Sequence, residues 1–195
     1  MEKIIWPGST QLAPVPAVLV GCGNNRNLPF NVLTIAWTGI VCSEPPLVAV
    51  SIRPERYSFD LVSATNEFTV NVPSDDMAEK VDFCGVKSGR EIDKIAACGF
   101  TAVSGSRVAA PVIAECPISL ECRVVKRLAL GSHELFIGEI VAVQVERELV
   151  NADGRFDIDR AKVLGYAHGH YYRLGECIGH FGFSVRKKAG SPIRR

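Results

Sequence analysis

Strand-like stretches follow one another along almost the entire chain, each closed by turn chemistry before a long helical period can develop. In "EFTVNV", Phe68, Val70 and Val72 alternate with Glu67, Thr69 and Asn71, the two-residue period of a strand. "ISLECRVV" repeats the pattern and places Ile118, Leu120, Cys122 and Val124 on one face. "PAVLVGCG", "NVLTIAWTGIVC" and "LVAVSIR" are apolar and β-branched, and the breakers "NNRNLPFN" and "SEPP" separate them. "LFIGEIVAVQVE" is apolar on both faces. Such a strand is covered on both sides, and a subunit interface is one way to cover the second. Helical patterns are brief. "YSFDLVSATN" can start at Ser58 or just after it, and "DDMAEKVDF" carries acids in its first turn. "EIDKIAACG" groups Ile92, Ile95 and Ala96 and ends at Gly99, a C-cap residue. Strands in series with short helices as plugs predict a mainly β chain, an antiparallel barrel rather than a doubly wound sheet.

The 195 residues fit one domain, with a core over about 12–187 and a basic, solvated tail over 188–195 at the end of "VRKKAGSPIRR". A formal net charge of +1 gives no electrostatic footprint for nucleic acid or a membrane surface, and no run of about 18 apolar residues marks a membrane span. Seven cysteines are scattered through apolar segments with no C-x-x-C pair. Their odd number and the lack of a signal-peptide pattern predict buried free thiols and a cytoplasmic location.

Several local motifs fail in the context they require. "GCGNNR" follows a strand, yet Arg26 replaces the third glycine and "NLPFN" replaces the helix of a dinucleotide fingerprint. "GVKSGR" has neither the order nor the spacing of a P-loop, and "NADGRFDID" puts its glycine in the wrong register for a calcium loop. "HGH" sets His168 and His170 two apart, the same face of a strand, but a metal site needs a third convergent ligand and the sequence names none. No metal is expected.

Two segments join cations to helix starts. "SIRPERYS" ends a strand with Ser51 and Arg53 and then offers Arg56, Tyr57 and Ser58. "VKSGR" supplies Lys87, Ser88, Gly89 and Arg90 before the helix read in "EIDKIAAC". Free N–H groups and a partial positive charge at a helix start suit phosphate, Arg forks onto its oxygens, and Gly permits close backbone approach. The same residues also suit a solvated turn. In "TIAWT", Thr34, Trp37 and Thr38 combine hydroxyls with a flat apolar surface able to edge a planar polar ring; an ordinary strand end with Trp37 in the core is the alternative.

"TIAWTGIVCSEPPLVAVSIRPERYS", "EFTVNVP", "VDFCGVKSGREIDK", "APVIAECPISLECRV" and "GSHELFIGEIVAV" together resemble the flavin reductase-like FMN-binding split-barrel proteins, most closely their flavoredoxin-like branch. The resemblance runs from about Pro16 to about Lys187. It implies a homodimeric Greek-key split β-barrel that binds FMN non-covalently near the subunit interface. On that pattern Thr34, Trp37 and Thr38 border the isoalloxazine, and Ser51, Arg53, Tyr57 and Ser58 approach the ribityl phosphate. Lys87, Ser88, Gly89 and Arg90 close over the flavin and its phosphate, Tyr166 and Tyr171 flank the ring, and His133 stands near the flavin or the nicotinamide as the catalytic candidate. The resemblance implies an NAD(P)H-dependent flavin reductase or related oxidoreductase, with NADH or NADPH as hydride donor. The alternative is a flavoredoxin-like carrier that takes electrons from a redox protein partner. In either case Cys84 of "FCGVKSGR" is incidental to the flavin chemistry.

Overall fold

The computed structural model describes residues 1–24 and 26–185; the basic tail expected at 188–195 lies outside the described residues. Twelve strands and four α-helices are found among the described residues. The strands are β1 (Val15–Pro16), β2 (Val18–Cys22), β3 (Asn31–Ile35), β4 (Thr38–Cys42), β5 (Leu47–Ile52), β6 (Glu67–Val72), β7 (Ala102–Ser104), β8 (Pro111–Ile113), β9 (Ile118–Ala129), β10 (Glu134–Val145), β11 (Leu164–Ala167) and β12 (His170–Arg173). The helices are α1 (Tyr57–Thr65), α2 (Ala78–Val86), α3 (Lys94–Cys98) and α4 (Ile158–Ala161). Seven strands form one antiparallel sheet in the order β3-β2-β6-β9-β10-β5-β4. The mainly β, antiparallel architecture is the one the strand pattern predicts.

The sheet curls because its two longest strands, β9 and β10, slip register at Ile137/Gly138 and again at Ile140/Ala142; bulges of this kind bend a strand and increase its twist. Gly138 sits at the first slip because the Phe68 ring fills the space a side chain needs: a Cβ there would lie 2.6 Å from Phe68 Cζ. The β4–β5 ladder continues into the β3–β4 connection, where the Ser51 N–H donates to the Trp37 carbonyl at 3.0 Å. Inside the curl, Phe68, Phe136, Val20, Val50, Leu61 and Val62 form the main core. The alternation of β6 holds, but its polar face is buried as well. Thr69 donates to the Pro111 carbonyl; Asn71 donates to Leu19 O (3.0 Å) and accepts from Ile113 N–H (3.0 Å) and Ser119 Oγ (2.7 Å). Every polar atom there exchanges water for a protein partner, as burial demands.

The long strand β10 buries Phe136 while Val143 stays 55% exposed; Val125 in the neighbouring strand β9 is 54% exposed and Ile40 in edge strand β4 is 63% exposed. Nothing among the described residues covers these side chains. Among the described residues, no helix is long and apolar enough to cross a membrane.

Two helix expectations need correction. The segment expected to open a helix at Glu91 remains in turn conformation, and α3 begins only at Lys94, because the Asp93 carboxylate caps it by accepting from Ile95 and Ala96 N–H, both at 3.0 Å. Its buried positions are Lys94 and Cys98, not Ile92 and Ala96. The "HGH" segment is not one strand: His168 (φ 48°) and Gly169 (φ 86°) form the tight turn between β11 and β12, so His168 and His170 do not share a strand face. Elsewhere the reading and the structure agree closely: α1 starts at Tyr57, one residue before Ser58, and Gly99 ends α3 in the left-handed region at φ 62°.

Candidate flavin site

The curled sheet gathers residues from five places in the fold around one small cleft. Thr34 comes from β3, Trp37 from the β3–β4 connection, Ser51 and Arg53 from the end of β5, Arg56 from the start of α1, and His133 from the β9–β10 hairpin. His133 reaches this place through register: Glu134 pairs with Ile52, so the residue before Glu134 stands beside the residue after Ile52. Its Nδ1 is 2.9 Å from Ser132 Oγ, which leaves Nε2 as the ring nitrogen to meet a ligand.

The cleft encloses about 130 Å³, below the roughly 300–1,000 Å³ usual for small-molecule pockets. It borders a second, more apolar cleft of about 280 Å³, formed by Thr10, Leu12, Val15, Ala36, Trp37 and Thr38. Trp37 and Ala36 belong to both. Trp37 is 43% exposed, so its ring is a free flat surface and not part of the core. The polar cleft suits a charged end of a ligand, and the apolar one a larger planar part. A larger cleft, about 680 Å³, lies elsewhere, beside α4 and β12. It is lined by Asp75 and Arg173, which pair at 2.6 Å, and contains none of the residues singled out from the sequence.

Positive charge concentrates at the polar cleft. Arg53 is exposed and has only a long contact, 3.5 Å, to exposed Glu55, a pair of little energetic weight. Arg56 is the N-cap residue of α1 and supplies no capping side-chain bond. The first-turn N–H groups of a nine-residue helix are thus left without a side-chain partner.

The two threonines line these clefts, but their hydroxyl protons are spent inside the barrel wall. The Thr34 hydroxyl donates to the Val81 carbonyl, and the Thr38 hydroxyl donates to the Ala49 carbonyl at 2.8 Å. Both protons are used within the barrel wall, so these hydroxyls offer a ligand only lone pairs. Ser58 also faces inward: it is 2% exposed and accepts from Asn31 Nδ2 at 2.8 Å.

Lys87, Ser88, Gly89 and Arg90 do not line the polar cleft. They form the turn that leaves the C-terminus of α2, with Lys87 as its C-cap, so the phosphate-favouring helix start expected behind them is absent. They reach the site region through α1. Arg90 pairs with Asp60 at 2.7 Å and lies 5.1 Å from the Tyr57 ring centre. Gly89 packs so closely that a Cβ would stand 2.3 Å from Asn31 Oδ1 and 2.9 Å from Tyr57 Cδ1. Tyr166 and Tyr171 pack edge-to-face, 5.5 Å apart, and Tyr171 donates to Asp82 Oδ1 at 3.1 Å. Burial and the Asp82 carboxylate push the Tyr171 phenol up to about 12. These tyrosines line neither cleft, although Tyr166 pairs across the sheet with Val15, which does.

Two buried polar residues escaped the sequence reading. Asn31 links Ser58 to the underside of Gly89. Lys94 is 2% exposed and donates to the Cys84 carbonyl at 3.1 Å; burial lowers its pKa, opposed in part by Cys84 and Cys22. An asparagine opening an apolar strand and a lysine within a polar run carry no local signal of burial.

Comparison with known proteins matches this architecture. Residues 10–175 fit the family model of the flavin reductase like domain. The flavoredoxin of Desulfovibrio vulgaris (Miyazaki F) superposes with a TM-score of 0.87 at 34% identity, covering 95% of this chain and 99% of that one. The flavoredoxin from Methanosarcina acetivorans gives 0.85 at 30% identity, covering 95% and 100%. The FMN-binding protein from Thermus thermophilus, solved with bound 1-cyclohex-2-enone, gives 0.76 at 26% identity, covering 92% and 97%. The chain belongs to the flavin reductase-like family and has the split-barrel fold of these flavoproteins.

Proposed function

We propose that the chain binds FMN across the two clefts joined at Trp37 and works as an NAD(P)H-dependent flavin reductase or a closely related oxidoreductase. The observation that carries this reading is the convergence of Arg53, Arg56, Ser51 and His133 beside the uncapped start of α1, with an exposed indole next to them. The donor set fits the group. Two guanidinium groups and free helix N–H groups suit a phosphate, while Trp37 and the apolar cleft suit a planar ring. FMN, when bound, supplies the redox chemistry by taking up a hydride and passing electrons onward.

The protein's own residues then bind, orient and shield. Arg53 and Arg56 hold the anionic end, and Ser51 adds a hydroxyl beside them. Trp37 presents its ring to the planar part and separates the two clefts. Thr38, whose proton is already used, accepts a hydrogen bond from a ring N–H group. Arg90 and Gly89 brace α1 from behind through Asp60, Asn31 and Tyr57. His133 Nε2 stands at the mouth, where a nicotinamide amide or a flavin edge would pass.

NADH or NADPH is the proposed hydride donor, and a homodimer is the proposed assembly. Ile40, Val125 and Val143, each more than half exposed, support the dimer, since a second subunit is one way to cover apolar side chains left open on a sheet. Similarity to two flavoredoxins favours a second reading, a carrier that receives electrons from a protein partner. Anaerobic mixing of the FMN-loaded protein with NADH and, separately, NADPH distinguishes the two. Flavin bleaching within the turnover time supports the reductase; flavin that stays oxidised with both nucleotides rejects it and leaves the carrier.

A further inference from the structure

Below the Lys87–Arg90 turn lie two thiols in contact. We propose that Cys84 and Cys98 are a reversible dithiol–disulfide pair that ties together the two ends of the segment bearing Lys87, Ser88, Gly89 and Arg90. The pairing does not depend on the FMN reading.

The two Sγ atoms are 3.7 Å apart, and a disulfide needs about 2.05 Å, so a combined approach of under about 2 Å closes the bond. Cys84 lies in the last turn of α2 and Cys98 is the last residue of α3. The intervening 87–93 segment is turn structure outside any strand, so the two helix ends can shift towards each other without breaking a sheet. Cys98 is 9% exposed and Cys84 fully buried, which makes Cys98 the thiol an oxidant reaches first. Lys94 is four residues before Cys98 on α3, hence on the same face, and its ammonium donates to the Cys84 carbonyl. The charge of this buried lysine favours the Cys84 thiolate needed for exchange. Burial works against it, pushing the Cys84 thiol up to about 12, so exchange is slow at neutral pH and quickens as pH rises.

The oxidant is a low-molecular-weight disulfide. The Cys98 thiolate attacks one of its sulfurs and releases one small thiol, leaving a mixed disulfide. Cys84 gives up its proton, attacks Cys98 Sγ and expels the second small thiol. Two protein thiols are oxidised to one disulfide, and the small disulfide is reduced to two thiols.

The test incubates the full chain with oxidised glutathione, alkylates it under denaturing conditions, and maps tryptic peptides without reduction. The expected product joins the peptides 81–87 and 95–107 with loss of two hydrogens, and dithiothreitol reverses it. Its rate of formation rises roughly tenfold from pH 7 to pH 8, following the thiolate fraction. Cys84→Ser should accumulate glutathione on Cys98, and Cys98→Ser should lose the joined peptide. Recovery of Cys84 and Cys98 as alkylated thiols, while the less buried Cys42 and Cys177 take up glutathione, overturns the proposal. So does a bridge between any other pair. The wild-type map decides by itself if either variant fails to fold.

Discussion

Arg90 closes the turn after α2 onto α1 through an ion pair with Asp60, Nη2 to Oδ2 2.7 Å. Thirty residues separate the two in sequence, and the contact lets the Lys87–Arg90 turn act on the proposed flavin site although it does not line the cleft. Both side chains are about half exposed, so the pair contributes about 0–1 kcal/mol to stability. Its role is to hold the turn against the Tyr57 ring. Arg90→Ala should therefore leave the unfolding midpoint nearly unchanged while weakening FMN binding several-fold, as read by flavin fluorescence titration. Equal affinity in the variant removes Arg90 from the site's support.

Gly89 is the tightest point of that contact. A methyl group at this position meets Asn31 Oδ1 at 2.3 Å and the Tyr57 ring at 2.9 Å, neither of which moves without disturbing the start of α1. Gly89→Ala should cost about 1–3 kcal/mol, the usual range for overpacking, measured by urea denaturation. It should also lower FMN affinity. A variant as stable as the parent would show that the turn relaxes freely.

Glu121 gives the fold a pH-dependent lock. It is fully buried in β9 and accepts from Ser106 Oγ (2.7 Å), Gln144 Nε2 (2.8 Å) and the N–H groups of Arg107 (2.6 Å) and Val108 (3.1 Å). Burial opposes its ionisation, but these donors outweigh burial and hold the carboxyl at about 2, below the ordinary 4.5. A folded pKa below the unfolded one means the folded state binds fewer protons, so this stabilisation is present above about pH 4.5 and is lost as pH falls towards 2. The contribution is on the order of 3 kcal/mol. Glu121→Gln should lower stability at pH 7 and flatten the fall in stability between pH 4.5 and 2, measured by denaturation at a series of pH values.

The barrel was readable in the chain because strands announce themselves by period. Phe68 and Val70 against Thr69 and Asn71 is a local alternation, and the structure keeps it. The convergence of His133 with Arg53 was not readable from local pattern and came only with the family resemblance, because it depends on the pairing of Glu134 with Ile52, two segments some eighty residues apart. The start of α3 was misread for a different reason. Ile92, Ile95 and Ala96 carry a helical spacing, but the Asp93 cap decides where the helix begins, and tertiary packing, not spacing, buries Lys94. His168 looked like a strand residue because "HGH" alternates, whereas the left-handed geometry at His168 and Gly169 makes it a hairpin turn.

Arg53 is the residue whose removal should matter most for the cofactor and least for the fold. It is exposed, and among the described residues its sole ion pair is the long one to Glu55, so Arg53→Ala should unfold within about 0.5 kcal/mol of the parent. A charge-assisted hydrogen bond to phosphate is worth about 1.5–3 kcal/mol, which corresponds to roughly 10- to 100-fold in FMN affinity.

The central claim is that the polar cleft takes the phosphate of FMN and the neighbouring cleft its ring. Parallel titrations of the protein with FMN and with riboflavin, which lacks the phosphate, test it most directly. The account predicts that FMN binds at least about tenfold more tightly and that Arg53→Ala removes most of the difference. Equal binding of the two flavins, or a difference that survives Arg53→Ala unchanged, would contradict it.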